Sequence, residues 1–435
     1  MKIRTHGYKL KIRRSIGGDY PLGGIVLAQV LLYLSPFVSS LLAYGAFAIC
    51  AYRVFRYDAR VFATDFAILM PLTTLFQSPG GMTLLSYLCL FAVVRYVLRD
   101  GVQLNRALVM LLVLMNYLLL RMQMNITQFV LYFAPMALTC IIVPRQDGKS
   151  AERTAKQFCV SLFLSSVYAM LFRNTAQIAA VRGKEVPAYW GSSIMRFQGI
   201  FGDPNYYMLL LILGLALLIK LKDSRKIRRG SFLAMGLSLT VFGIMTYSKT
   251  FTLAFILLGC VFIFWQFRNR NYIFGSVLIA AIGISISLML LLDVSPFEIV
   301  LKRFGNSSSL NELTTGRTLI FQRYWNEITK SIGVTFFGMG FSAEGLIRDP
   351  HNLFLEVIYY TGIIGLLLAV WFYWCVGYQM NRKNAGAVRQ NIFAKYVVLG
   401  MVIIVFMSLS GMFSVVTGGT FFLAFLSILI TKDME

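Results

Sequence analysis

Residues 349–378 read DPHNLFLEVIYYTGIIGLLLAVWFYWCVGY, and this stretch decides the fold. From Leu353 to Tyr378 it is strongly apolar. About 20 such residues are enough to cross a bilayer as a helix. In hydrocarbon the backbone must satisfy its own hydrogen bonds, so a spanning segment of this kind is helical. Similar runs recur along nearly the whole chain. Hydropathy and length place about fourteen spans near 22–35, 37–55, 62–77, 82–98, 105–121, 126–143, 156–172, 205–221, 231–247, 251–267, 272–292, 353–377, 392–410 and 415–430. The third is the weakest, with Asp65 inside it and Pro71 interrupting it. Ser35-Pro36 alone separates the first two.

The composition agrees. The 435 residues are 58% hydrophobic and 14% charged, with a mean hydropathy of +0.71. A soluble protein could not hide that much apolar surface. The expected fold is an all-α polytopic membrane protein, one membrane domain over 1–435. Two outer loops carry function: a first at 173–204 and a large one at 293–352 containing short helices. The first nineteen residues are basic and polar, without an apolar core and small-residue cleavage site. No cleavable signal peptide is expected, and the first apolar segment stays as an anchor.

The net charge of +23 invites a nucleic-acid reading, but the positive-inside rule accounts for most of it. About 29 of the 41 basic residues fall on one face under alternating topology. They lie in the first tail, around Arg53–Arg60, Arg95–Arg106, Arg145–Lys156, Lys220–Arg229, Arg268–Arg270 and Arg382–Lys395, and at Lys432. That face is read as cytoplasmic, with both termini inside. The six cysteines fall in or beside apolar spans, and no outer loop carries a pair. Neither a disulfide nor a CxxC metal or redox site is expected.

Some basic residues remain outside against that bias. They are Arg173, Arg182, Lys184, Arg196 and Lys249, with Lys302, Arg303, Arg317, Arg323, Lys330 and Arg348 in the large loop. An anionic ligand is a reason to keep them there. Arginine suits phosphate because its planar fork donates two parallel hydrogen bonds and stays charged. Lys302 and Lys330 read more simply as solvated surface lysines. Arg196, Arg303 and Arg317 each lie near a helix start.

Those helix starts share a device. SIMRFQGIFGDPN (193–205) runs into one span and RDPHN (348–352) into another. Each uses Asp-Pro followed by Asn, which caps free N–H groups and suits a first turn. Tyr247-Ser248-Lys249-Thr250 precedes a third. The reading stays double: plain caps, or three positive helix ends forming a diphosphate cradle. In the large loop, RTLIFQRYWNEITK (317–330) places Ile320, Phe321, Tyr324, Trp325 and Ile328 on one side at helical spacing. Such a helix can lie at the outer interface and hold Arg317 above the membrane. Of the two histidines, His6 sits in the basic tail, which leaves His351 as the imidazole for proton transfer or as a loop-orienting cap.

Taken in order, Arg196 with Gly199, Asp203-Pro204-Asn205, Ser248-Lys249, Thr315-Gly316-Arg317, Gly338-Met339-Gly340 and His351-Asn352 before Gly362-Ile363-Ile364-Gly365 resemble the O-antigen ligase/polymerase family of bacterial membrane glycan enzymes. The resemblance covers roughly residues 190–370. Lys249 departs from it, standing where the family commonly has Arg, so a point charge replaces a fork.

The resemblance implies a GT-C-like fold and a polyprenyl-diphosphate-linked glycan donor. Transfer goes to an acceptor hydroxyl at the outer face of the cytoplasmic membrane, by inversion, without metal or other cofactor. It implies His351 and Arg317 as catalytic residues. Arg196, Arg303, Lys249, Arg323 and Arg348 would bind the diphosphate, and Asp203, Asn205, Ser248 and Asn352 would position the helix starts. The lipid bilayer and the glycan acceptor are partners, and a chain-length regulator protein is a candidate one. The expected activity is that of a polymerase joining lipid-linked repeat units, since nothing in the sequence marks a lipid A-core site. The alternatives are a ligase acting on lipid A-core or another acceptor, and a transporter or flippase of an anionic lipid or solute. The transporter reading lacks the inverted repeats and midplane charges that such proteins usually show.

Overall fold

The computed structural model describes residues 20–77, 83–101, 104–121, 126–183, 186–188, 194–268, 317–340 and 352–382, together with 270, 272 and 276. Among these residues the chain is all helical, with two isolated β-bridges and no strand. The helices are α1 (Leu22–Leu34), α2 (Leu41–Arg56), α3 (Ala59–Leu69), α4 (Leu84–Asp100), α5 (Arg106–Arg121), α6 (Ile126–Ile142), α7 (Gly148–Leu171), α8 (Ala176–Arg182), α9 (Pro204–Asp223), α10 (Arg229–Met245), α11 (Lys249–Arg268), α12 (Arg317–Ile328), α13 (Ile332–Phe337) and α14 (Leu353–Arg382). Each span expected between residues 22 and 267, and the one at 353–377, overlaps a helix, although the span expected at 62–77 is α-helical only as far as Leu69. The spans expected at 392–410 and 415–430 lie outside the described residues, as does the one at 272–292 apart from residues 272 and 276.

Among the described residues three helices, within α7, α9 and α14, are long and apolar enough to cross a membrane. Leu22–Leu34, Phe133–Arg145, Arg229–Met245 and Lys249–Phe264 are apolar but shorter. Large apolar side chains point outward, among them Leu98, Leu120 and Trp374, 72–85% exposed. In a bilayer such side chains meet lipid rather than water.

Helices in lipid gain little from the hydrophobic effect and associate through close approach and interhelical hydrogen bonds. Both are present where α3 packs on α7 and α7 on α9. Ala59, Ala63 and Ala67 form a buried stripe of small residues on α3. Thr64 and Thr154 hydroxyls meet at 3.0 Å, and Ser161 Oγ donates to the Ile68 carbonyl at 2.6 Å. Tyr207 Oη donates to Ser166 Oγ at 2.8 Å. A Cβ at Gly214 would stand 2.6 Å from Leu162, so glycine lets α9 approach α7. The halves of the chain interlock, because α14 packs against α5.

Asp65, which weakens the third span in the sequence, is neutralised in place. It is 2% exposed on α3 and receives Arg53 Nε and Nη2, each at 2.8 Å. The Tyr20 hydroxyl donates to the same carboxylate, and Arg53 Nη1 donates to the Pro21 carbonyl at 2.7 Å. This fork ties α2, α3 and the start of α1 together. The α-helix ends at Leu69, and Met70–Leu72 turn as a 3-10 helix around Pro71, which lacks the N–H a continuing α-helix would use.

Removing one partner of a buried ion pair strands the other charge, at a cost of about 3–5 kcal/mol. Asp65→Ala should therefore lower the thermal midpoint of the detergent-solubilised protein sharply. The double variant Arg53→Met/Asp65→Leu should recover most of the loss. Equal losses in both would contradict this reading of the pair.

Candidate functional site

The segment IMRFQGIFGDPN (194–205) has its backbone fixed from several sides. Arg196 N–H donates to the Val186 carbonyl and Phe197 N–H to the Met245 carbonyl, both at 2.9 Å. Thr74 Oγ1 donates to the Ile200 carbonyl at 2.9 Å. Gly199 has φ +60, and a Cβ there would lie 2.7 Å from the Tyr207 ring. Both facts require glycine. Asp203 then caps α9 by accepting from Asn205 N–H at 2.5 Å, with Pro204 as the first helical residue.

Arg196 is 7% exposed. Its Nε donates to the Thr246 carbonyl at 2.7 Å and its Nη2 to Asn205 Oδ1 at 3.2 Å. One guanidinium thus ties the start of α9 to the turn between α10 and α11. Asn205 is not the cap itself, and its side chain serves Arg196.

In the α10–α11 turn, Tyr247 has φ +47, a left-handed conformation unfavourable for a side-chain-bearing residue. Ser248 Oγ accepts from Phe251 N–H at 3.4 Å, and Lys249 is the first residue of α11. The Tyr247 phenol is pushed above its ordinary range by burial, and the Arg173 guanidinium pulls it partly back. Arg173 Nη2 donates to the Met195 carbonyl at 3.1 Å, and its guanidinium lies 5.8 Å from the Phe197 ring centroid. Arg182 is buried and donates to the Arg173 carbonyl at 3.4 Å. Arg173 and Arg182, both counted as outer basic residues, therefore brace the same segment.

Arg317 opens α12. Burial holds its guanidinium below the ordinary range, and the Asp203 carboxylate acts in the opposite direction. The start of α12 is thus within electrostatic reach of the start of α9. Tyr324 and Ile328 are buried, and Tyr324 packs on Tyr359 of α14 with centroids 4.7 Å apart. Trp325 is 57% exposed, so the inward face is Ile320–Tyr324–Ile328 and not all five apolar residues expected there. Arg323 is exposed.

Helix α14 is broken at Gly362, which has φ +69 and ψ −176. A broken helix frees backbone groups that need partners. Met339 N–H donates to the Tyr359 carbonyl at 2.8 Å and Gly340 N–H to the Tyr360 carbonyl at 3.0 Å. Tyr117 Oη, from α5, donates to the Thr361 carbonyl at 2.6 Å. Arg121, also on α5, donates Nε to the Phe337 carbonyl at 2.9 Å and Nη2 to the Gly338 carbonyl at 2.6 Å. A Cβ at Gly362 would sit 2.2 Å from the Phe336 carbonyl oxygen. At the other end, Asn352 caps α14, accepting from Phe354 and Leu355 N–H at 3.1 and 3.2 Å.

The structure thus draws together Arg196, Asp203, Asn205, Ser248, the start of α11 at Lys249 and Arg317. Arg323 is on α12, the helix that Arg317 opens, and its side chain is exposed. Arg303, Arg348 and His351 lie outside the described residues, although Asn352, next to His351, begins α14. Sequence reasoning missed Tyr117, Arg121 and the buried Glu356 in the first turn of α14. For Arg121 a signal was present: the alternating topology expected from the sequence puts it among the outer basic residues. Chemically, the cluster offers desolvated cations and the positive ends of α9 and α11, which suits an anion.

Residues 233–370 match the O-antigen ligase family. The matched stretch runs from within α10 into α14, and includes Ser248, Arg317 and the Gly362 break. It supports the O-antigen ligase/polymerase family that the ordered motifs resemble. No curated protein and no solved structure matches the chain.

Arg121→Met removes both bonds to the carbonyls at the end of α13, Phe337 and Gly338, worth about 1.5–3 kcal/mol each for a charged donor. Amide hydrogen exchange at Phe336–Gly340 should rise strongly, with α1–α3 unchanged. Unchanged exchange at Phe336–Gly340 would contradict the clamp.

Proposed function

We propose that the protein is a membrane glycosyltransferase acting on a polyprenyl-diphosphate-linked glycan at the outer face of the bacterial cytoplasmic membrane. The observation that supports this reading is the convergence on the start of α9, where buried Arg196 donates to Asn205 and half-buried Arg317 lies within electrostatic reach of Asp203. Cations kept out of water at a helix start favour a bound anion, and the family match supplies the chemical class. The proposed topology has about fourteen spans in a GT-C-like arrangement, both termini cytoplasmic, and loops 173–204 and 293–352 outside.

In the proposed reaction an acceptor sugar hydroxyl attacks the anomeric carbon. The new C–O bond forms as the bond to the diphosphate oxygen breaks on the opposite side, which inverts the configuration. His351 takes the hydroxyl proton. The diphosphate leaves as an anion, its developing charge met by Arg317 and Arg196, with Lys249, Arg303, Arg323 and Arg348 completing the basic surround. Positioned cations already supply charge stabilisation, so the chemistry needs no metal or other cofactor. Asp203, Asn205, Ser248 and Asn352 act by fixing the helix starts.

The acceptor separates two versions. As a polymerase the protein extends a lipid-linked repeat unit, with a chain-length regulator as a candidate partner. The second version is a ligase that moves the finished glycan to lipid A-core or another acceptor, and the description of the matched family as O-antigen ligase keeps this version beside the first. In a deletion strain, single repeat units on polyprenyl diphosphate are expected for the polymerase. Accumulated long lipid-linked chains would establish the ligase instead.

Arg317→Ala should cut transfer by roughly 10²–10³-fold, the usual cost of one charge-stabilising donor. His351→Ala should cost about 10²–10⁴-fold, as for a general base. Both would be measured as glycan products at matched membrane levels of protein. Wild-type product in either variant would refute its role.

A further inference from the structure

Gln198 lies between Arg196 and Gly199, in the segment that the proposed donor site is built on. Its side chain is fully buried, and among the described residues neither Oε1 nor Nε2 has a hydrogen-bond partner. Reversing the amide changes nothing, since both ends are unmet. In the closed form, Phe197 N–H is bonded to the Met245 carbonyl, the Gln198 carbonyl accepts from Phe201 N–H at 3.0 Å, and Thr74 holds the Ile200 carbonyl. Burying a polar amide without partners is costly, and an apolar side chain of similar size would fit this position more cheaply. An amide kept there needs a use.

We infer that Gln198 recognises the sugar attached directly to the donor diphosphate. The chemistry of the amide selects this part of the donor. Diphosphate oxygens only accept hydrogen bonds, and would leave Oε1 unmet. A sugar hydroxyl or acetamido group both donates and accepts, and meets both ends of the amide. Arg196, two residues away, lies beside the start of α9, where the diphosphate is proposed to sit, so the adjoining sugar comes within reach of Gln198. The amide is closed over in this structure, and binding therefore displaces part of the segment that carries it. Gly199 and Gly202 on either side are the residues best able to absorb that movement.

This inference rests on the proposed donor. It is tested by binding to the purified full-length protein, using two probes: bare polyprenyl diphosphate, and the same lipid carrying one N-acetylhexosamine. Gln198→Met keeps the volume and removes both polar atoms. It should bind the bare lipid as wild type does and the glycosylated lipid about 10-fold or more weaker, with a thermal midpoint equal to or above wild type. Equal affinity of Gln198→Met and wild type for the glycosylated lipid would overturn the assignment of Gln198 alone. So would a lowered midpoint with a uniform loss on both probes, the mark of an amide that holds buried water for stability. Wild-type protein that binds neither lipid would overturn the donor reading and this inference with it.

Discussion

A guanidinium taken out of water must have its N–H groups answered by protein, and Arg196 is answered from two directions. The Thr246 carbonyl comes from the turn between α10 and α11, and Asn205 comes from the start of α9. Separating those helices would strand a buried charge, so their relative placement is fixed by one side chain. The rest of the site is built outward from this bridge. Asp203 caps α9 and reaches Arg317 electrostatically, Ser248 caps α11, and Arg173 and Arg182 brace the segment from behind.

A second constraint acts on the far side. The break in α14 leaves carbonyls that lipid cannot satisfy, and the protein answers them from α5 and from the residues after α13. Arg121 closes the same junction. Through the Tyr324–Tyr359 contact this junction also sets where α12, and hence Arg317, can lie. Glycines at 338 and 362 follow from the geometry, because each has positive φ and a side chain there would overlap the backbone opposite.

Most helices were legible, because a run of apolar residues in a polytopic chain has one way to satisfy its backbone. The caps were legible too: Asp203, Ser248 and Asn352 announce themselves by residue type before an apolar run. What could not be read was partnership across distance. Asp65 looked like a defect in a weak span until Arg53 and Tyr20 supplied its partners. Asn205 looked like a cap, but serves Arg196. Trp325 shared the spacing of Tyr324, yet only Tyr324 faces α14. Periodicity names a face and not the surface that receives it. Arg121 and Tyr117 were hidden because their partners are main-chain carbonyls more than two hundred residues away, which no side-chain pattern marks.

In the proposed site the Arg196-bearing segment and the Arg317-bearing helix are two walls of one outward-facing cavity. The most direct measurement is cross-linking of Asp203→Cys with Arg317→Cys in a background lacking the native cysteines. A short, membrane-impermeant bifunctional thiol reagent would be applied to intact cells whose outer barrier has been made permeable. The account predicts an intramolecular cross-link without rupture of the cytoplasmic membrane. Cysteines that react singly but never bridge, or that bridge only after that membrane is broken, would contradict it.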